Sequence, residues 1–219
     1  MAGIGLYGVY YSQGTYEDGV LSHYNGVKTM GKAISATFTP QEAGDSKLYA
    51  NNAVSETDAQ AGAGGTLGLT LDKLLSAAYV DLFGLTEKTK TVTVGTTTAT
   101  GKGYDYTGNE QSNAVGVAFI RQRQEAQDRD IHEAVIFSAV TFKTPTDEYN
   151  TLGETVEWQT PSIEGDVTAG ASIGTFPWMQ RYTFPTQAAA IQFITDFFAA
   201  PPSGGEGGGD GDGDPELQD

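Results

Sequence analysis

The sequence predicts a mainly β fold, a sandwich or barrel carrying one or two short α-helices, on three observations. Apolar residues alternate with polar ones at a period of two in several separate stretches. Threonine, valine and aromatic residues, which fit a pleated and half-buried surface, dominate those stretches. Only two segments have helical spacing. With 219 residues, 38% of them hydrophobic, the chain can bury one good core. A single domain over residues 1–200 is expected, followed by a tail.

The alternation begins at Ile34, Ala36 and Phe38, returns at Val92 and Val94, and again at Val115, Val117 and Phe119. Each reads as a half-buried strand. Residues 133–142 (EAVIFSAVTF) are apolar on both faces, as in a central strand covered by a helix or a second sheet. Val156 with Trp158, and then Trp178, Gln180, Tyr182 and Phe184, suggest two further strands. The run 104–109 (YDYTGN) has turn chemistry. Residues 47–84 read as strand, acidic loop, strand and helix, with the glycines of AGAGG as a hinge.

In the first helix Leu71, Leu74, Leu75, Ala78 and Leu82 form one stripe, with Asp72 as N-cap and Gly84 as the stop. In the second, after Pro185, Thr186 caps while Ala188, Ile191, Ile194 and Phe198 share a face. The strands at Ile34–Phe38, Val92–Val94, Val115–Phe119 and Val135–Val140 are expected to build one barrel-like sheet, packed by a helix over Asp72–Phe83. Residues 201–219 hold no apolar side chain except Leu217, so an acidic, disordered tail is expected. Its GDGDGD run lacks the bidentate acid and flanking helix of a calcium loop.

Charge narrows the function classes. The formal net charge is -16, with six acids after Ala200 and -10 left on residues 1–200. That sign opposes gripping nucleic acid by counterion release, while passage of DNA without adhesion is compatible with it. There is no cysteine, which excludes disulfides and thiolate chemistry. The start of the chain lacks a basic n-region, and no run approaches the roughly 20 apolar residues that span a bilayer. Cytoplasmic synthesis without membrane insertion is the expectation.

Catalytic patterns are missing. Gly62, Gly64, Gly65 and Gly68 are followed by no Lys-Ser/Thr, so they serve better as a hinge or strand edge than as a phosphate loop. His23 and His132 stand alone. Glu154 and Glu157 beside Trp158 could in principle serve a glycosidase, yet flanking Val156 they read as the solvent face of a strand. Arg121, Arg123 and Arg129 interleave with Glu125, Asp128 and Asp130, a mixed set that suits a subunit contact better than a phosphate site. No catalytic residue, cofactor or metal site is expected, and the chain reads as a non-enzyme.

Four segments carry a resemblance: GIGLYGVYYSQGTYEDGV (3–20), KLYANNAVSETDAQ (47–60), GGTLGLTLDKL (64–74) and VGVAFIRQR (115–123). In this order they resemble the major tail tube proteins of long-tailed, non-contractile bacteriophages, over most of residues 1–200. The resemblance implies a tail-tube type of β-sandwich or barrel whose subunits form hexameric rings. Such rings stack into the tube through which double-stranded DNA passes without specific binding. It also implies a virion location after synthesis in a bacterial host. The implied partners are further copies of the chain and the tape measure, tail tip and terminator proteins.

A β-rich subunit with open edges can bury them by continuing a sheet into its neighbour. The loop 39–65 is then expected to reach an adjacent subunit through Leu48, Tyr49, Asn51 and Asn52, with Arg121 and Arg123 as further contacts. The acidic Gly/Asp tail departs from the family pattern. Two alternatives stay open: a carbohydrate-binding β-sandwich stacking sugars on Trp158 and Trp178, and a head-tail joining or tail terminator ring protein.

Overall fold

The computed structural model describes residues 3–41, 45–50, 53–59, 63–126, 129–145 and 160–199; for 3, 4, 45–50, 53–59, 125, 126 and 129 it describes the backbone alone. The fold is mainly β. In chain order the elements are β1 (Gly3–Glu17), β2 (Val20–Tyr24), β3 (Lys28–Gly31), β4 (Ala33–Pro40), β5 (Asp45–Ala50), β6 (Ala53–Ala59), β7 (Gly65–Leu71), α1 (Ser76–Phe83), β8 (Glu87–Val94), β9 (Thr97–Tyr104), β10 (Ala114–Ala126), β11 (Arg129–Phe142), β12 (Ser162–Val167), β13 (Met179–Phe184) and α2 (Gln187–Phe197).

Nine strands form one antiparallel sheet in the order β2-β1-β10-β11-β12-β7-β4, with β3 also on β1 and β13 also on β11. Among the described residues no ladder joins β4 to β1, so the sheet is not a closed barrel. It curls strongly all the same. Lys32 alone separates β3, which pairs with β1 at Val9–Tyr11, from β4, which pairs with β7. The segment 28–40 thereby connects the two flanks of the sheet. Asp72 fixes that junction, its Oδ1 accepting from the backbone N–H of Lys32 at 2.9 Å and of Lys73 at 2.7 Å.

The curl encloses Val9, Tyr11, Met30, Leu67, Leu69, Leu71, Val115, Val117, Val135 and Phe137, closed off by Ala78, Leu82 and Phe83 of α1. The opposite face of β10 and β11 presents Ala118, Ile120, Ala134 and Ile136 to Ala190 and Ile194 of α2 and to Phe198. Residues 133–142 are apolar on both faces for this reason. A β-bulge interrupts their alternation: Val117 pairs with Phe137 but Val115 with Val140, so β11 gains a residue and Ser138 is buried. Its polar atoms are satisfied there. Ser138 Oγ donates to Pro177 O at 2.5 Å, its N–H to Trp178 O at 3.1 Å, and its carbonyl accepts from Tyr24 Oη at 2.8 Å.

Several sequence expectations need correction. Ile34 is 53% exposed, because the register slips between Ala33 and Ser35 and turns Ile34 outward while Ala36 and Phe38 still face the core. Val92 and Val94 are 58% and 75% exposed, and their strand belongs to a separate β8–β9 hairpin, not to the main sheet. Residues 53–59 form strand β6 in place of an acidic loop. Helix α1 begins at Ser76 with Leu75 as an uncapped N-cap, since the Asp72 carboxylate is spent on the Lys32 junction. Ala188 is exposed, and Ala190 takes its place on the buried face of α2.

Other expectations hold. Gly84 ends α1 at φ 64°, where a Cβ would lie 2.3 Å from Gln111 O. Thr186 Oγ1 accepts from Ala189 N at 3.2 Å and caps α2. In the 104–109 turn the Glu110 carboxylate accepts from the backbone N–H of Thr107 at 2.5 Å and of Gly108 at 2.8 Å, which holds its pKa down at about 2. Val156, Trp158 and residues 201–219 lie outside the described residues.

Two buried tyrosines set the alkaline limit of the fold. Tyr11 is fully buried and donates to Asp81 Oδ2 at 2.8 Å, a carboxylate that also takes Lys28 Nζ at 2.7 Å. Burial first, and then the Asp81 contact, pushes the Tyr11 phenol up from 10.0; burial does the same for Tyr24. Both hydroxyls stay protonated in the fold at a pH where the unfolded chain ionises. Their contribution is fully present below pH 10.0 and is lost as pH rises above it. Chemical denaturation followed against pH should show stability falling from about pH 10 upward. Tyr11→Phe should flatten that slope and cost about 1 kcal/mol at neutral pH.

Candidate assembly surfaces

Beyond the curled part of the sheet, four strands continue together in the order β1, β10, β11, β13. Registers align Tyr7 with Ile120, Ala134 and Tyr182, and Leu6 with Arg121, Glu133 and Thr183. Among the described residues no strand pairs with Gly3–Gly8 on the side away from β10, and none pairs with β13 on the side away from β11. Among the described residues this extension therefore has an unpaired edge on each flank, each offering a row of backbone donors and acceptors. Tyr182, 53% exposed, stands on the β13 edge.

A charge cluster ties three of these strands together. Glu133 of β11 is 5% exposed and lies on the same face as Val135, where the core gives way to polar residues. Its Oε2 accepts from Arg121 Nε at 2.8 Å and from Arg121 Nη2, and its Oε1 from Arg181 Nη2 at 3.0 Å and Arg123 Nη1 at 3.4 Å. Guanidiniums from β10 and β13 thus converge on one carboxylate from β11. Beside them Gln122 Nε2 donates to Asp130 Oδ2 at 2.7 Å, and Tyr7 Oη to Gln122 Oε1 at 2.5 Å. Sequence reading singled out Arg121 and Arg123 but missed Glu133 and Arg181. No local pattern signals that partnership, which depends on the β11–β13 register.

Two hairpins stand apart from the main sheet. The 39–65 connection forms the β5–β6 hairpin, with Leu48 opposite Glu56 and Tyr49 opposite Val54. Asn51 and Asn52, at its turn, lie outside the described residues. The expected contact residues thus fall on two different elements, Leu48 and Tyr49 on this hairpin and Arg121 and Arg123 on the sheet extension. The hairpin returns at Gly64 and Gly65, whose φ values are 90° and 150°. A Cβ at Gly65 would meet Thr39 O at 2.3 Å, so this glycine serves a close strand approach. The β8–β9 hairpin is exposed along the whole of β8.

The remaining candidates are dispersed. His23 lies beside Ser22 Oγ at 3.4 Å. His132 packs 6.2 Å from the Tyr7 ring, its buried Nδ1 without a hydrogen-bond partner. Trp178 is partly buried against Phe38, with ring centroids 6.0 Å apart, which leaves it poorly placed to stack a sugar. Among the described residues no three His, Cys, Asp or Glu side chains gather as metal ligands, and no helix is long and apolar enough to cross a membrane.

Neither a family model nor a curated protein matches this chain.

Proposed function

We propose that this chain is a structural subunit that assembles into stacked rings, the tail tube of a long-tailed, non-contractile phage. The observation that carries this reading is the four-stranded extension with free edges on opposite flanks. Pairing the β13 edge of one copy with the β1 edge of the next is a head-to-tail contact, and such a contact generates a ring when its rotation closes. The resemblance of residues 3–20, 47–60, 64–74 and 115–123 to tail tube proteins supports a hexamer. The net charge of -16 suits a channel that passes DNA without holding its phosphates. Further copies, a tape measure, a tail tip and a terminator are the partners in this reading. Its place is the virion, after synthesis in the host cytoplasm.

Negative-stain electron microscopy and light scattering over a concentration series test it. Stacked rings with a central channel are expected, whereas single rings that never stack would identify a joining or terminator protein instead. Tyr182→Lys should give a folded monomer that forms no rings, because lysine on an edge strand blocks strand addition. Normal rings from this variant would remove the edge-pairing basis of the proposal.

A further inference from the structure

We infer that the β8–β9 hairpin is a docking arm whose basic, valine-tipped face seats on the exposed β4–β7–β12 face of a second copy of this chain. The hairpin pairs only with itself among the described residues, and a lone two-stranded hairpin is marginally stable in water. Its pairing places Lys88, Lys90, Val92 and Val94 of β8 on one face, opposite Gly103, Gly101, Ala99 and Thr97 of β9. Long side chains line one strand and a nearly bare backbone the other. That arrangement is a shallow trough with two ammonium groups at its base and two exposed valines at its tip.

The receiving face has the complementary character. The outward residues of three adjacent strands are Ser35, Thr37 and Thr39 of β4, Thr66, Gly68 and Thr70 of β7, and Ser162, Glu164 and Asp166 of β12. Apart from the two acids of β12 and the Lys143 side chain that spans them, none is large, so another sheet can lie close against β4 and β7. Glu164 and Asp166 are 60% and 62% exposed, spanned by Lys143 at 3.2 and 3.3 Å, and they leave one net negative charge. On the arm Lys88 and Lys90 share Asp105, at 3.2 and 2.8 Å, and leave one net positive charge. Exposed pairs of this kind are weak because water screens them, so they exchange partners readily on docking. The lysines then meet Glu164 and Asp166 while Val92 and Val94 cover threonine methyl groups.

Residues 87–104 carry three lysines and one glutamate within a chain of net charge -16. A partner that complements this basic arm is the acidic chain itself. The contact joins two different surfaces, so it propagates from copy to copy. Its partner follows from the self-assembly proposed above, but the surfaces differ from the β1 and β13 edges.

The test is a photo-crosslinking p-benzoylphenylalanine in place of Val94 in the full chain, irradiated over a concentration series and mapped by mass spectrometry. Crosslinks between copies, landing in residues 35–39, 66–70 or 162–166, are expected. They should disappear with Lys88→Glu plus Lys90→Glu, and with Glu164→Lys plus Asp166→Lys. They should return when the arm-reversed chain carrying the probe is mixed with the face-reversed chain. Crosslinks confined within one chain, landing elsewhere on the second copy, or absent at every concentration would overturn the inference. Rings without these crosslinks would defeat the arm alone. The crosslinks without any ring would uphold the arm and defeat the tube.

Discussion

Phe137→Ala is expected to destabilise the fold by about 3–5 kcal/mol, the range for truncating a fully buried aromatic residue. Phe137 is completely buried and points into the curl of the sheet, with its ring 4.9 Å from that of Phe38 and 6.3 Å from that of Phe119. Two features keep the site from collapsing onto the vacated space. Its backbone is held on both sides, by Val117 of β10 and by Met179 of β13. The bulge next to it is fixed by the hydrogen bonds of Ser138. The cavity therefore stays largely open, which puts the cost toward the upper end. For a chain of this size the melting temperature should fall by about 10–15 °C, measured by calorimetry or far-UV dichroism. A loss under about 1 kcal/mol would mean that the sheet flanks close in, and that the curl is far more deformable than a packed core allows.

Where the sequence was legible, the signal was local. Val115, Val117 and Phe119 face the curled core as their alternation predicts, but the strand is not half-buried, since α2 covers Ala118 and Ile120 on its other face; the two-faced run 133–142 likewise has α2 on one side and the curled core on the other. Gly84 and Thr186 were readable because a left-handed residue and a capping hydroxyl act within one turn. Most of the failures depend on what packs or pairs across the fold and not on local pattern. Ile34 looks apolar-in by period, but a slip against β7 reverses it. Val92 and Val94 alternate like a half-buried strand, although nothing in the described residues covers either one. Asp72 looks like an N-cap and is instead held by Lys32, forty residues away in sequence. The charge cluster was half legible for the same reason: Arg121 and Arg123 stand out in sequence, whereas the partnership of Glu133 with Arg181 exists only once β11 and β13 are paired.

Glu133→Gln should cost about 3 kcal/mol, a figure at the low end of the 3–5 kcal/mol observed when one partner of a buried pair is removed. The low end applies because the three guanidiniums keep some water, at 37% exposure for Arg121, 24% for Arg123 and 45% for Arg181. Glutamine keeps the shape but supplies one acceptor oxygen and an NH2 donor where two charged oxygens had received four donated hydrogen bonds. The amide group would then face guanidiniums that themselves only donate, so donor confronts donor at a nearly buried site. The loss should not be uniform over the molecule. Arg181 anchors β13, whose only strand partner among the described residues is β11, so amide exchange at Gln180–Thr183 should accelerate more than at Val115–Phe119. Arg181→Lys, which keeps one charged donor, should show the same pattern more weakly. If the β13 edge is the ring contact, Glu133→Gln must also weaken ring formation below its melting temperature, without touching any residue on that edge. Equal acceleration at both sets of amides would show the cluster to be a general stabiliser and would separate it from the assembly edge.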